Sequence, residues 1–64
     1  MSLREYLFQN RMPATILAKQ LGISANYLRA IKRGEYIPSL ELCQMIEMMT
    51  GGKVTITELR QPNG

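Results

Sequence analysis

Two polar side chains, Asn26 and Arg29, lie three residues apart in a segment of small and basic residues. An asparagine amide can pair with the edge of adenine through two hydrogen bonds, and a guanidinium can pair likewise with guanine O6 and N7. Each such pair contributes about 1–3 kcal/mol of discrimination between bases. Ala25 and Ala30 would let a helix approach closely and could touch a thymine methyl group. These four residues therefore have the chemistry to read base pairs in a major groove.

Other side chains and backbone groups nearby have the chemistry to contact phosphates. Lys32 and Arg33 supply positive charge just after Arg29, and a hydroxyl or a backbone N–H at a helix start can donate to a phosphate oxygen. Two alternatives stay open: these cations are an ordinary solvated helix end, and Asn26 is only a residue near a helix cap. The predicted phosphate contacts are Ala14, Thr15, Ser24, Tyr27, Lys32 and Arg33, although the ring of Tyr27 could instead pack over the domain.

Two short helices joined by a glycine turn must position these residues. Pro13 suits the first position of a helix over about 13–21, and Gly22 can end it in the left-handed conformation. Ser24 can cap the next helix, the predicted recognition helix, over about 25–33. Ala18 is small enough for the two helices to cross closely. The apolar residues predicted to fill the core between them are Leu17, Leu21, Ile23, Leu28 and Ile31.

Capping signals predict three further helices, so the fold is expected to be all-α with five short helices. Ser2 and Glu5 form a capping-box pair before a first helix whose inward side carries Leu3 and Leu7. Ser39 is the cap candidate for a fourth helix ending near residue 50, and Thr55 with Glu58 suggests a short fifth helix over about 56–60. The β-branched residues in 53–57 leave a short strand open as an alternative to that helix start.

Length and composition limit the class of protein. The 64 residues are expected to form a single domain, 1–64, with a flexible tail over 61–64. The chain has no histidine and no aspartate, and its one cysteine, Cys43, is most simply a small buried apolar residue. We therefore expect no catalytic residue, no metal site, no cofactor and no small-molecule ligand. No apolar run is long enough to span a bilayer, so a cytoplasmic location at the bacterial nucleoid is expected.

Charge is distributed unevenly along the chain. Residues 1–34 contain six basic residues against one acidic residue, whereas 35–64 contain two against four. A basic first half suits a polyanion, and a mildly acidic second half suggests a different use for the other face. An uneven solvated surface is the alternative.

The fourth helix has more apolar residues than one buried side needs. Helical spacing places Leu42, Met45, Ile46 and Met49 on a core side, and Leu40 and Met48 among polar residues on the other. Exposed Leu40 and Met48 predict a weak homodimer interface, unless Leu40 covers the first helix and Met48 is scattered exposure. A two-fold dimer would present two recognition helices about 34 Å apart, one DNA turn, and match a palindromic operator.

The segment LAKQLGISANYLRAIKRG resembles the Cro/repressor-type helix-turn-helix family, and the downstream IE–TGG–VT–ELR pattern is similar to its small Cro-like and YdaS-like branch. The resemblance covers about residues 13–62. It implies a lambda-repressor-like all-helical fold, transcriptional control in a bacterium or phage, and base readout by the four residues named first. One departure is Ala14, which stands where many relatives have a glutamine, so backbone N–H groups must carry more of the phosphate contact there.

The preferred interpretation is a small Cro-like repressor that binds a double-stranded DNA operator through its third helix. The alternative is a protein-interaction module with the same fold, such as a YdaS-like toxin–antitoxin component or an anti-activator. The acidic, methionine-rich second half favours that alternative. An enzyme is poorly supported, because no acid–base pair and no glycine-rich phosphate loop is present.

Overall fold

Local capping interactions set the starts of most helices in the computed structural model of the protein, which describes residues 1–60. Ser2 caps the first helix together with Glu5 in a complete capping box, and Ser24 and Ser39 each accept a hydrogen bond from a backbone N–H in the first turn of their helices. The predicted tail, 61–64, lies outside the described residues. The helices are α1 Leu3–Gln9, α2 Ala14–Leu21, α3 Ala25–Lys32, α4 Leu40–Met49 and α5 Ile56–Arg60.

The all-α prediction is confirmed, since residues 1–60 contain these five helices and no strand. Thr55 caps α5, as its hydroxyl oxygen accepts from the Glu58 N–H over 3.2 Å, so the strand alternative for 53–57 is wrong. The prediction for the start of α2 needs a correction. Pro13 is the residue before the helix, with extended backbone, and Ala14 is the first helical residue. Gly22 ends α2 with a φ of 76°, a conformation that costs other residues a steric penalty.

A core formed by all five helices holds α2 and α3 in place. Leu17 and Ala18 of α2 and Leu28 of α3 are almost completely buried, and Ile23 in the turn is packed against them. The same cluster includes Leu3 and Leu7 of α1, as predicted. Beyond the helix-turn-helix it continues through Leu42, Cys43, Ile46, Val54 and Leu59. The angle between α2 and α3 therefore depends on packing from α1, α4 and α5 as well.

The buried side of α4 differs from the prediction. Leu42, Ile46 and Cys43 are buried as expected, but Met45 and Met49 are 44% and 40% exposed. The reason is tertiary: α4 packs against both α2 and α5, and the side that carries Cys43 faces the core. The remaining apolar residues of α4, Leu40 and Met48, are 53% and 80% exposed.

Two polar side chains, Thr50 and Glu47, attach the segment leading into α5 to the end of α4. The buried Thr50 hydroxyl donates to the Ile46 carbonyl over 2.9 Å and accepts from the Val54 N–H over 3.1 Å. The Glu47 carboxylate accepts from the Ile56 N–H at the start of α5 over 3.1 Å. These bonds satisfy backbone groups that the short connection would otherwise leave without partners. Among residues 1–60, no helix combines the length and apolar character that crossing a membrane requires.

Candidate nucleic-acid interface

The outer side of α3 carries the two predicted base-reading polar residues. Leu28 and Ile31 are buried and fix the rotation of the helix, which leaves Asn26 exposed and Arg29 partly exposed near its first two turns. Arg29 Nη1 donates to Asn26 Oδ1 over 3.2 Å. The structure thus brings the two side chains together on one accessible side of the helix.

The two alanines predicted beside them lie differently. Ala30 is only 6% exposed, so the prediction that it lies on the outer side of α3 is wrong. The chain after α3 turns back at this point: the Glu35 N–H donates to the Ala30 carbonyl over 2.9 Å, and Tyr36 packs on Tyr27, one turn before Ala30 on the same side. Ala25 is half-buried and packed against the core. Asn26 and Arg29 therefore remain as the accessible candidates for base contact.

The two hydroxyl groups at the start of α3 differ in their surroundings. Ser24 Oγ accepts from the Tyr27 N–H over 3.1 Å, which uses one lone pair and leaves the hydroxyl hydrogen able to donate outward. The ring of Tyr27 packs against the core and makes an edge-on contact with Tyr36, with ring centroids 5.9 Å apart. The ring of Tyr27 therefore packs over the domain, as the alternative interpretation of this residue expected. A phosphate contact by its hydroxyl stays a prediction.

The start of α2 offers backbone donors rather than a capping side chain. Pro13 has no hydroxyl or carboxylate, and no side chain caps the helix. The methyl group of Ala14 is buried and Thr15 is exposed. The backbone N–H groups of both residues precede the first possible intrahelical bond, so they can donate to an anion. Their contact with phosphate stays a prediction.

The two cations that follow Arg29 differ in their exposure and in their partners. Lys32 is the last residue of α3 and is half-buried, whereas Arg33 is exposed and pairs with Glu35. Arg33 Nε lies 2.5 Å from Glu35 Oε2, and this hydrogen bond, together with the opposite charge, lowers the pKa of the Glu35 carboxyl. Sequence reasoning missed this partner, although an acid two residues after a predicted phosphate contact was a visible signal. A phosphate at Arg33 must compete with Glu35.

Two helices crossing at a left-handed glycine turn, with polar residues on the outer side of the second, define a helix-turn-helix DNA-binding domain. A family model described as helix-turn-helix matches residues 3–60, and the chain belongs to this Cro/repressor-type family. Comparisons with curated proteins and with solved structures return no match. Family membership supports a role as a DNA-binding transcription regulator.

Proposed function

We propose that this chain binds a specific double-stranded DNA operator by inserting α3 into the major groove. Asn26 and Arg29 carry this proposal, since they are the accessible polar pair near the start of α3 and are already hydrogen-bonded to each other. Residues near the start of a recognition helix enter a major groove deepest. Asn26 would pair with adenine and Arg29 with guanine. Ala25, which is half-buried, has a smaller part, and Ala30 has none.

Phosphate contacts at the end of α3 and at the start of α2 would supply most of the affinity for DNA. Lys32 and Arg33 lie at the end of α3, and the N–H groups of Ala14 and Thr15 lie at the start of α2, where no side chain caps the helix. The hydroxyls of Ser24 and Tyr27 complete the proposed set. Each cation that neutralises a phosphate releases counterions, so binding should weaken steeply as salt rises.

The proposed regulator is a Cro-like repressor that binds as a weak homodimer. Leu40 and Met48 are exposed on α4, away from the side that packs on the core. Their burial in a two-fold interface would place two copies of α3 about 34 Å apart, the spacing of successive major grooves on one side of DNA. The operator would then be palindromic, because each copy reads one half-site.

Selection of binding sites from random duplex DNA tests this proposal. We expect wild-type protein to enrich a palindrome whose half-site contains adenine and guanine at the positions that face Asn26 and Arg29. Arg29→Ala should relax preference at one base pair, whereas Lys32→Ala should weaken all sequences about equally. An unchanged sequence preference of Arg29→Ala across the same library would overturn the assignment of Arg29 to base readout.

A second candidate function is binding of a protein partner, as in a toxin–antitoxin component or an anti-activator. The observation in its favour is the exposure of Met45, Met48 and Met49, which form an apolar face on α4. Methionine is adaptable and common at surfaces that bind several partners. A gel shift with the DNA upstream of the chain's own gene, at two salt concentrations, separates the candidates. Specific, salt-sensitive retardation supports the regulator, and its absence favours the protein-interaction module.

A further inference from the structure

A small cleft between α1 and the end of α3 is lined by three cations. Its volume is about 290 Å³, and its lining consists of Arg4 from α1 with Lys32 and Arg33 from the end of α3. Arg4 lies far from the other two along the chain, so only the tertiary fold brings the three together. No acidic residue of the described part of the chain lines this cleft.

The carboxylates closest in sequence to these cations neutralise only part of the positive charge around the cleft. Glu5 accepts hydrogen bonds from the backbone N–H and the hydroxyl of Ser2, which holds it in the capping box of α1. Glu35 pairs with Arg33 only. Within residues 1–60, neither Arg4 nor Lys32 has a carboxylate within ion-pair distance. Like charges around one cleft repel each other, and a bound anion would relieve that repulsion.

The position of the cleft favours one anion, the DNA backbone. An adjoining, larger cleft of about 550 Å³ is lined by the same Arg4 and Lys32 together with Pro13 and Ala14 at the start of α2. Its lining also includes Glu5, whose carboxylate is held in the capping box of α1. Arg4 therefore lies between the two groups of proposed phosphate contacts, one at the start of α2 and one at the end of α3. A DNA strand that passes both groups would run along this surface.

We propose that Arg4, with Lys32 and Arg33, holds a phosphate of the DNA backbone, and that the interface therefore extends from the helix-turn-helix onto α1. This inference rests on the proposed function. The contact carries no sequence information, because every nucleotide presents the same phosphate. Its effect is on affinity, register and salt dependence.

Arg4→Gln is the variant that tests this contact, since Arg4 is exposed and its replacement should leave the fold intact. Lys53→Gln is the matched control, because Lys53 is also exposed, loses the same charge and lines neither cleft. Affinity for the selected operator and for a random duplex is measured from 50 to 200 mM salt. Circular dichroism and melting temperature confirm that both variants are folded.

We expect Arg4→Gln to reduce the slope of log K against log salt by about 0.9 on both duplexes. Over this salt range the wild type should lose roughly threefold more affinity than the variant. The sequence preference of Arg4→Gln should match that of the wild type, and Lys53→Gln should retain the wild-type slope.

A wild-type slope for Arg4→Gln, in a protein that still selects an operator, would overturn this inference alone. If the wild type binds duplexes without selecting a sequence, operator recognition fails, while the Arg4→Gln slope still decides whether Arg4 contacts phosphate. A wild type that binds no duplex overturns both. A last experiment compares the melting temperatures of the wild type and Arg4→Gln in inorganic phosphate and in chloride at equal ionic strength. An Arg4-dependent gain in melting temperature without any Arg4-dependent DNA effect would assign the cleft to a free anion and overturn the inference.

Discussion

Arg29 Nη1 donates to Asn26 Oδ1 over 3.2 Å, so the two predicted base-reading side chains are joined in the free protein. The residues are three apart on α3, the spacing at which helical side chains meet. The Asn26 oxygen has a second lone pair that could accept from adenine, and the Arg29 guanidinium keeps further N–H donors for guanine. The contact therefore orients both groups without using up either, and the pair should act as one unit.

The first prediction is that Asn26→Ala and Arg29→Ala have non-additive effects on operator binding. Each single change should cost about 1–3 kcal/mol of binding free energy, because one paired base contact is lost. The double change should cost less than the sum by about 0.5–3 kcal/mol, since each single change also loosens the other side chain. Equilibrium titration of the selected operator measures all four proteins.

The control for this double-mutant cycle combines Asn26→Ala with Lys32→Ala. Lys32 lies at the other end of α3, and no hydrogen bond between its side chain and Asn26 is present among the described residues. Their effects should add to within about 0.5 kcal/mol. If the effects of Asn26→Ala and Arg29→Ala on binding free energy also simply add, the two side chains bind DNA independently.

Much of this fold is predictable from sequence because its helix starts depend on local chemistry. Ser2, Ser24 and Ser39 each accept a hydrogen bond from a backbone N–H only three residues later, so sequence spacing alone identifies them. Gly22 is likewise predictable from the sequence, because the left-handed conformation that ends a helix favours glycine. Asn26 and Arg29 follow from the same local register, since buried Leu28 and Ile31 set which side of α3 faces out.

The features that sequence reasoning missed all depend on contacts between distant or returning segments. Ala30 is buried because the chain after α3 turns back toward it, and Met45 and Met49 are exposed because α4 packs with its Cys43 side inward. Arg4 approaches Lys32 only through the packing of α1. Helical periodicity gives the relative angles of residues on one helix, but it does not give the direction from which a neighbouring element packs.

A second prediction concerns the carboxylate that pairs with Arg33. Glu35→Gln should raise affinity for all DNA sequences a few-fold, because Arg33 is released to phosphate and one negative charge near the DNA is removed. Glu41→Gln is the charge-matched control, as Glu41 is exposed on α4 away from this contact. Titration of operator and random duplexes measures both variants. Equal effects of the two changes would mean that Glu35 does not compete with phosphate for Arg33.

A third prediction is that Thr50→Val destabilises the protein although the two side chains are similar in size. The change leaves the buried Val54 N–H without its acceptor, which should cost about 1–3 kcal/mol of unfolding free energy. For a domain of this size, each kcal/mol lowers the melting temperature by roughly 4–8 °C. Thr57→Val makes the same chemical change at an exposed position of α5 and should alter melting little. Similar melting of the two variants would show that the Thr50 hydroxyl is dispensable.

The fourth prediction tests the proposed homodimer. Met48→Lys should reduce self-association and weaken binding to a palindromic operator more than to an isolated half-site, because it places charge in the proposed interface. Sedimentation velocity measures the association. Phe8→Lys is the control for that measurement, since Phe8 is an equally exposed apolar residue, on α1. If both variants associate like the wild type, the interface lies elsewhere or the protein acts as a monomer.

The last prediction concerns acid stability through Glu58. Its carboxylate accepts from the amino terminus of Met1 over 2.7 Å, and this hydrogen bond is the main cause that lowers the Glu58 pKa in the folded state. A carboxyl whose pKa is lower when folded stabilises the fold above its ordinary value, about 4.3, and loses that contribution as pH falls through the lowered value. Glu58→Gln should therefore be about 0.5–1 kcal/mol less stable than the wild type at pH 7.

Denaturant unfolding of wild type and Glu58→Gln from pH 7 down to pH 2 measures this dependence, and the two proteins should converge at the acid end. Acetylation of the Met1 amino group removes the other partner of the ion pair and is the matched perturbation. It should reduce the pH 7 stability of the wild type, while reducing that of Glu58→Gln much less. A stability difference between wild type and Glu58→Gln that persists at pH 2 would show that the effect does not come from the charge of the carboxylate, because glutamine keeps an oxygen that can accept from the Thr55 hydroxyl.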